Sequence, residues 1–451
     1  MTDFEQNHFA RLFEKRSGRI TPGLSRLYKA LPYLGEDLAA RPSVLIGGTN
    51  GKGGTAGYLW HSLRRSRINT GLFTSPHLVK FGERFLVEKE ASDERLLALW
   101  RRLRQILPEN VYEPLTFFEL TTLMALMLFK EEATDLDILE VGLGGRLDST
   151  NIASPLASVI VSIGQDHMAY LGDSIAAITK EKLGIRRDGC PMFTGLIEYD
   201  EAKELIEQAC HIGDSPLYRL GTEFYYEGEQ AVVALPGLAR MEFPLEGPLA
   251  RAPSYIKDNF LLATAVHQWL YTQKKVCRGV TKDLTEGGIL PPPCLAGRFQ
   301  PLRVTHKEKQ INVLLDVCHN VESVRRFCAS LSSLDKRLGK PMGLVCILED
   351  KDISPMLDIL KGFLDPLVLF KIGSDRCFSD ASLDERHKGL PVAASFSEGL
   401  SRVLEMGGLA SGPLVICGSV LAVGRVLEYF SCHPQGLSSQ LLQGGYHHPG
   451  S

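Results

Sequence analysis

The chain has 451 residues, 44% of them hydrophobic and 23% charged, with a formal net charge of −3. That length exceeds what one hydrophobic core serves and predicts two or three domains. The near-neutral balance gives no case for nucleic acid or an anionic membrane, and ten scattered cysteines without a Cys-x-x-Cys pair suggest neither a zinc ribbon nor a disulfide framework.

Residues 1–19 are polar and carry both charges, so no signal peptide is read there. The longest apolar run, around Leu120–Phe129, is too short to span a bilayer. Reduced thiols in the cytoplasm are the simplest reading.

In chain order, residues 4–16 and 24–34 read as two short helices separated by Thr21-Pro22-Gly23. Val44-Leu45-Ile46 reads as the end of a buried strand. The glycine-rich turn Gly47-Gly48-Thr49-Asn50-Gly51-Lys52-Gly53-Gly54-Thr55 follows, then a helix to about Arg67. Residues 69–77 form a second strand with a polar exit, Thr74-Ser75-Pro76-His77. Ser92 and Asp93 can cap a helix running to Leu107. Thr116 opens a long apolar helix to Glu131. Residues 137–145 and 158–164 are buried strands running into Gly142-Leu143-Gly144-Gly145 and Gln165-Asp166-His167, and a helix over 174–186 carries Lys180-Glu181-Lys182. Alternating strands and helices predict a doubly wound, mainly parallel sheet. Residues 222–250 suggest a small antiparallel sheet, and a helix over 254–272 closes a first domain spanning 1–290. Pro291-Pro292-Pro293 and Gly297 mark a linker, 291–298. Strands at 311–317, 343–348, 367–372 and 414–417 restart the alternation in a smaller α/β domain over 299–431. The tail at 432–451 lacks periodicity and reads as mobile, with His447-His448 in it.

Strand, glycine loop with one lysine, and helix form the arrangement of a phosphate-binding loop. Glycines let backbone N–H groups turn onto phosphate oxygens, the helix N-terminus adds partial positive charge, and Lys52 would reach the β- and γ-phosphates. The usual P-loop pattern is incomplete, with Ile46 where its first glycine stands and Gly53 where its hydroxyl stands. A plain glycine turn before a helix is the competing reading. Ligands in such sheets sit beyond the carboxyl ends of the strands. Lys52, Ser75, Glu140 and His167 all fall there. Glu140 reads either as a Mg²⁺ ligand or as a solvated strand-end acid. His167 alone is a poor ligand for so hard a cation, and Lys182 alone reads as a surface lysine. Asp316, His319 and Asn320 stand at a strand exit of the second domain.

These stretches together resemble the folylpolyglutamate synthase/dihydrofolate synthase family, within the Mur ligase superfamily. The matching blocks run in order from Gly48 to Ser419. They are Gly48-Thr49-Asn50-Gly51-Lys52-Gly53, Leu72-Phe73-Thr74-Ser75-Pro76-His77-Leu78 with Glu83-Arg84, and Thr116-Phe117-Phe118-Glu119. Glu140-Val141-Gly142-Leu143-Gly144-Gly145-Arg146-Leu147-Asp148 with Thr150-Asn151 follows, then Asp166-His167 and Glu181-Lys182. Gly297-Arg298-Phe299, Asp316 with His319-Asn320, Asp350-Lys351-Asp352 and Gly418-Ser419 complete the series.

The resemblance implies a P-loop domain, a smaller C-terminal Rossmann-like α/β domain and an ATP-dependent amide ligase. ATP would phosphorylate a folate or dihydropteroate carboxylate, and L-glutamate would attack the acyl phosphate. By position, Thr49, Asn50, Gly51, Lys52, Gly53, Gly54, Thr55, Asn259, Arg298 and Asp316 match ATP positions. Ser75, Glu140, His167 and Lys182 match Mg²⁺ ligands, Lys182 being a lysine that the family carbamylates. Thr116, Phe117, Phe118, Glu119, Leu147, Asp148 and Ser149 match the pterin side, and His319 and Ser419 the glutamate side. Lys52, Lys182 and His319 are the expected catalytic residues. No nucleic acid or membrane partner is implied, and a monomer is expected.

Three departures stand out. Gly54 replaces the family's Ser or Thr, Cys318 replaces Ala in the Asp-x-Ala-His-Asn block, and Thr21-Pro22-Gly23-Leu24 replaces the Asp-Leu-Gly-Leu common in dihydropteroate-using members. Two other readings remain at this point. One is a Mur-type ligase acting on a UDP-linked peptide precursor, which usually carries a further domain ahead of the loop. The other is a non-catalytic nucleotide-binding relative.

Overall fold

The computed structural model describes residues 21–273, 295–306, 309–332, 339–407 and 412–430. The expected helix at 4–16, the triple proline at 291–293 and the tail at 432–451 lie outside the described residues. Two compact units are present. In their described parts, the first comprises residues 21–75, 81–245 and 256–273, and the second residues 76–80, 246–255 and those described between 295 and 430. The short segments at 76–80 and 246–255 thus join the second unit.

The first unit is built on a seven-stranded sheet. Its strands are β1 (Ser43–Gly47), β2 (Thr70–Phe73), β3 (Phe85–Leu86), β4 (Leu136–Glu140), β5 (Pro155–Ile160), β6 (Met192–Thr194) and β7 (Leu217–Arg219), in the order β3-β2-β4-β1-β5-β6-β7. All pairings are parallel except β2 with β3. β1 and β4 are buried along their whole length, as expected of strands covered on both faces. The covering helices are correspondingly apolar on most sides. Phe117–Glu131 buries every residue from Glu119 to Phe129, and Lys52–Arg65 buries Gly54 through His61. The helix Ser254–Tyr271 and a three-stranded antiparallel sheet, β8 (Phe224–Glu227), β9 (Gln230–Val233) and β10 (Met241–Pro244), meet expectation. Phe243 stacks edge-on against Phe260 of that helix.

In the second unit, β11 (Gln300–His306), β12 (Lys309–Asp316), β13 (Met342–Val345), β14 (Leu367–Phe370), β15 (Val392–Ala393) and β16 (Leu414–Cys417) order as β11-β12-β16-β13-β14-β15. Only the β11–β12 pair is antiparallel. Among the described residues no helix is long and apolar enough to cross a membrane, and the seven described cysteines are free thiols.

Candidate active site

Strand register builds the site in the first unit. Ile46 pairs with Glu140, Phe73 with Leu139, and Gly47 with Ile160. The loops after β1, β2, β4 and β5 therefore leave the sheet side by side. The loop Gly48–Gly51 is strapped to the segment after β5. Thr49 N donates to Ser162 O at 2.9 Å, Asn50 N donates to Ser162 Oγ at 2.9 Å, and Thr49 Oγ1 donates to Gly164 O at 3.1 Å. Gly51 caps the helix Lys52–Arg65 with φ at 85°, a left-handed conformation that glycine adopts without strain. The first amides of that helix have no intrahelical acceptor and point out of its N-terminus.

Two lysines converge on one carbonyl. Lys52 Nζ donates to Gly48 O and to Thr49 O, both at 3.1 Å, and Lys182 Nζ donates to Gly48 O at 2.9 Å. Lys182 is only 3% exposed, so the surface-lysine reading is corrected. The helix Ile175–Leu183 turns its last-turn lysine inward under the loop. Two ammonium groups on one oxygen repel each other and are relieved by an anion placed between them.

Glu140, 3% exposed, ends the neighbouring strand β4. Its Oε2 accepts from Thr74 Oγ1 and, at 2.9 Å, from Ser75 N. A side chain at Gly53 would place its Cβ 3.4 Å and 3.5 Å from the two Glu140 oxygens and 3.5 Å from Thr74 Oγ1. That leaves a small oxygen-lined space over Gly53. A carboxylate and a hydroxyl together suit Mg²⁺, which prefers oxygen ligands and takes few from protein. The solvated-acid reading of Glu140 does not survive this burial. His167 adopts φ of 53° with its side chain 38% exposed, its N–H bonded to Asp166 Oδ1 at 2.9 Å. Among the described residues no three His, Cys, Asp or Glu side chains cluster as a ready-made metal site.

Asn259 lies on the same loop. A Cβ at Gly51 would come 2.6 Å from its Oδ1, and one at Gly54 2.9 Å from its Nδ2. The Asn259 side chain thus takes up the room that a side chain at position 54 would need. Thr55 is fully buried, and its Oγ1 has no hydrogen-bond partner.

The residues matched to the pterin side come together at the start of the helix Phe117–Glu131, and their polar atoms are already engaged. Thr116 and Glu119 form a capping box. Both Glu119 oxygens also accept from Arg26 Nε at 3.0 Å. Arg26 Nη2 donates to Thr21 O, and Gly23 N donates to Leu147 O at 3.3 Å, so the segment that departs from Asp-Leu-Gly-Leu lies against this cluster. Ser149 Oγ meets Thr122 Oγ1 at 2.5 Å. Asp148 accepts from Leu143 N, Thr150 N and Thr150 Oγ1, while burial pushes its carboxyl pKa up. Phe118 stacks on Phe73, and the guanidinium of Arg84 lies 5.5 Å from the centre of the Phe117 ring. Arg84 is 8% exposed, and burial lowers its pKa to about 10 against the pull of Glu140 and Glu83. Arg84, Thr74 and Arg26 were not among the expected site residues. The Glu83-Arg84 block and the hydroxyl beside Ser75 were the available signals.

In the second unit, Asp316 is buried. It accepts from Tyr255 Oη, Phe299 N and Cys318 N, each at 2.8 Å, and burial raises its pKa against the opposing charge of Arg298. His319 Nδ1 stands 3.2 Å from Val317 O. Ser419 is the N-cap of the helix Val420–Tyr429, its Oγ accepting from Ala422 N at 3.0 Å.

Fold and loop together define an α/β protein organised around a mononucleotide phosphate loop. No family model matches the chain. It is 31% identical over 363 residues to the dihydrofolate synthase/folylpolyglutamate synthase of Haemophilus influenzae, covering 76% of this chain and 78% of that one. With the enzyme of that name from Escherichia coli it shares 30% identity over 425 residues, 93% and 94% of the two chains. The bifunctional folylpolyglutamate synthase/dihydrofolate synthase of Yersinia pestis, solved with AMPPNP and a Mn ion, superposes with a TM-score of 0.77 at 26% identity over 95% of this chain and 98% of that one. This chain belongs to the dihydrofolate synthase/folylpolyglutamate synthase family.

Proposed function

We propose that the chain is an ATP-dependent ligase that adds L-glutamate to the carboxylate of dihydropteroate or a reduced folate. The observation that carries this reading is the convergence of Lys52 and Lys182 on Gly48 O, just past the strand that pairs with the one ending in the buried Glu140. The names of the relatives and the nucleotide and metal in the Yersinia pestis structure support it.

The loop amides and Lys52 hold the phosphate oxygens and keep the γ-phosphoryl group in line with the attacking carboxylate. A carboxylate oxygen of the acceptor bonds to the γ-phosphorus, the bond to the bridging oxygen breaks, and ADP leaves. The glutamate amine then bonds to the acyl carbon, loses a proton, and expels phosphate. Thr74, Ser75, Glu140, His167 and a carbamylated Lys182 would hold Mg²⁺, which supplies neutralisation of phosphate charge when bound. Carbamylation turns the ammonium into an oxygen ligand, so the histidine is not left to bind a hard cation with one carboxylate alone. Asn259 in the first unit, and Arg298 and Asp316 in the second, are assigned to the nucleotide, and Thr116–Glu119 and Leu147–Ser149 to the pterin. His319 and Ser419 receive glutamate. We infer a monomer working in the cytoplasm without nucleic acid or membrane. Free thiols throughout the described cysteines accord with that compartment.

Replacing Lys52 or Lys182 by Ala is expected to abolish glutamate-dependent phosphate release while the protein still melts cooperatively. A full rate in either variant would refute the mechanism. The reading as a Mur-type ligase is disfavoured by the relatives found, which carry folate names along nearly the whole chain.

A further inference from the structure

We propose that Asn151 and Arg187 are positioning residues for Lys182. The inference rests on the reading of Lys182 given above. Lys182 lies in the last turn of the helix Ile175–Leu183, with Gly184 as its C-cap. Its side chain crosses buried space to Gly48 O. Four rotatable bonds place the head, so where the ammonium or carbamate stands depends on where the helix end is held.

That end is held by a two-residue clamp. Asn151 Nδ2 donates to Gly184 O and to Arg146 O, both at 3.0 Å. Arg187 Nη2 donates to Asn151 Oδ1 at 2.8 Å, Asn151 O at 2.9 Å and Ala153 O at 3.2 Å. Arg187 Nη1 reaches Gly184 O at 3.3 Å and Arg186 O at 3.1 Å. Every partner of this half-buried guanidinium among the described residues is a carbonyl or amide oxygen, none a carboxylate. A cation beside the last carbonyls of a helix is favoured by the helix dipole. Beneath the clamp the helix end touches the turn directly. A Cβ at Gly184 would lie 2.3 Å from Arg146 Cα, and Arg146 N donates to Glu181 O at 2.8 Å. The 3₁₀ turn Ser149–Ile152, with Asp148 as its N-cap, carries Asn151 itself. One clamp therefore fixes Lys182 against the loop and ties it to the Asp148–Ser149 turn on the pterin side.

The test is Asn151→Asp, with Arg187→Lys as a second variant. Asn151→Asp keeps an oxygen facing Arg187 and adds an ion pair, but it replaces the donor to Gly184 O with an acceptor. The expected result is a fall in kcat of about 10- to 100-fold, the range a displacement near 1 Å produces. The half-saturating Mg²⁺ concentration should rise and KM for ATP should stay within about twofold, while the melting temperature falls, because Gly184 O and Arg146 O lose the Asn151 donor, with the transition still cooperative. Arg187→Lys, which retains the charge but not the fork, should show the same pattern more weakly. Normal kcat and Mg²⁺ dependence in either folded variant, beside an inactive Lys182→Ala, would overturn the clamp. An active Lys182→Ala would overturn the reading of Lys182 and the clamp with it.

Discussion

Gly53→Ala separates stability from chemistry at the oxygen-lined space. The helix backbone at Gly53 carries no positive φ, and a methyl there meets its nearest atoms, Glu140 Oε2, Oε1 and Thr74 Oγ1, at 3.4–3.5 Å. Those are ordinary van der Waals separations, so nothing has to move. Replacing glycine by alanine within a helix stabilises by about 0.5–1 kcal/mol. For a domain of this size that corresponds to roughly 1–3 °C in melting temperature. The same methyl lies against the hydrogen-bonded Glu140–Thr74 pair and covers the carboxylate face that would meet a cation. Losing one element of preorganised charge stabilisation typically costs about 10²–10³ in kcat. The variant should therefore melt slightly higher and turn over at least about 10²-fold more slowly. Thermal melting and phosphate release as a function of Mg²⁺ read the two effects. Full activity with an unaltered Mg²⁺ dependence would refute the assignment of this space to the cation.

Gly54→Ser restores the hydroxyl of the family pattern but is expected to raise KM for ATP. Its Cβ would come 2.9 Å from Asn259 Nδ2 and push that side chain off the loop. Steady-state kinetics should show the KM increase with little gain in kcat. A second prediction concerns pH. His267 bridges Ser62 and Ser66 in the interior, and burial lowers its pKa from 6.5 to about 4. The unfolded chain therefore takes up the proton first as pH falls. Stability is complete above pH 6.5 and is lost progressively down to pH 4, by about 2 kcal/mol at pH 5 for this one group. Denaturant titrations at pH 7.5 and 5 should show a smaller difference for His267→Gln than for the parent; equal differences would contradict this.

Much of the site was legible because strand ends and glycine turns leave strong local signals. The Gly48–Thr55 loop, the strand ending in Glu140 and the Thr116 cap all stand where the residues place them. What escaped depends on partners distant in sequence. β5 stops at Ile160 rather than Gly164 because Ser162 and Gly164 bond to Thr49 and Asn50 of the phosphate loop instead of a neighbouring strand. The burial of Lys182 follows from a contact 134 residues away and has no local signature. The short strands Met192–Thr194 and Leu217–Arg219 carry too few residues for a period to be read, and Phe85–Leu86 is only two residues long. Gln300–His306, with Pro301 beside the linker, gives no strand signal of its own, yet it pairs with β12 along its full length.

Glutamate transfer is read by incubating the protein with ATP, Mg²⁺ and L-glutamate, in parallel with dihydropteroate and with tetrahydrofolate, and identifying the products by mass. One glutamyl unit added per phosphate released is expected with at least one acceptor. Tetrahydrofolate alone as acceptor would assign the Thr21-Pro22-Gly23-Leu24 segment to a pterin side that no longer takes dihydropteroate. ATP binding without glutamate transfer to either acceptor would contradict the account.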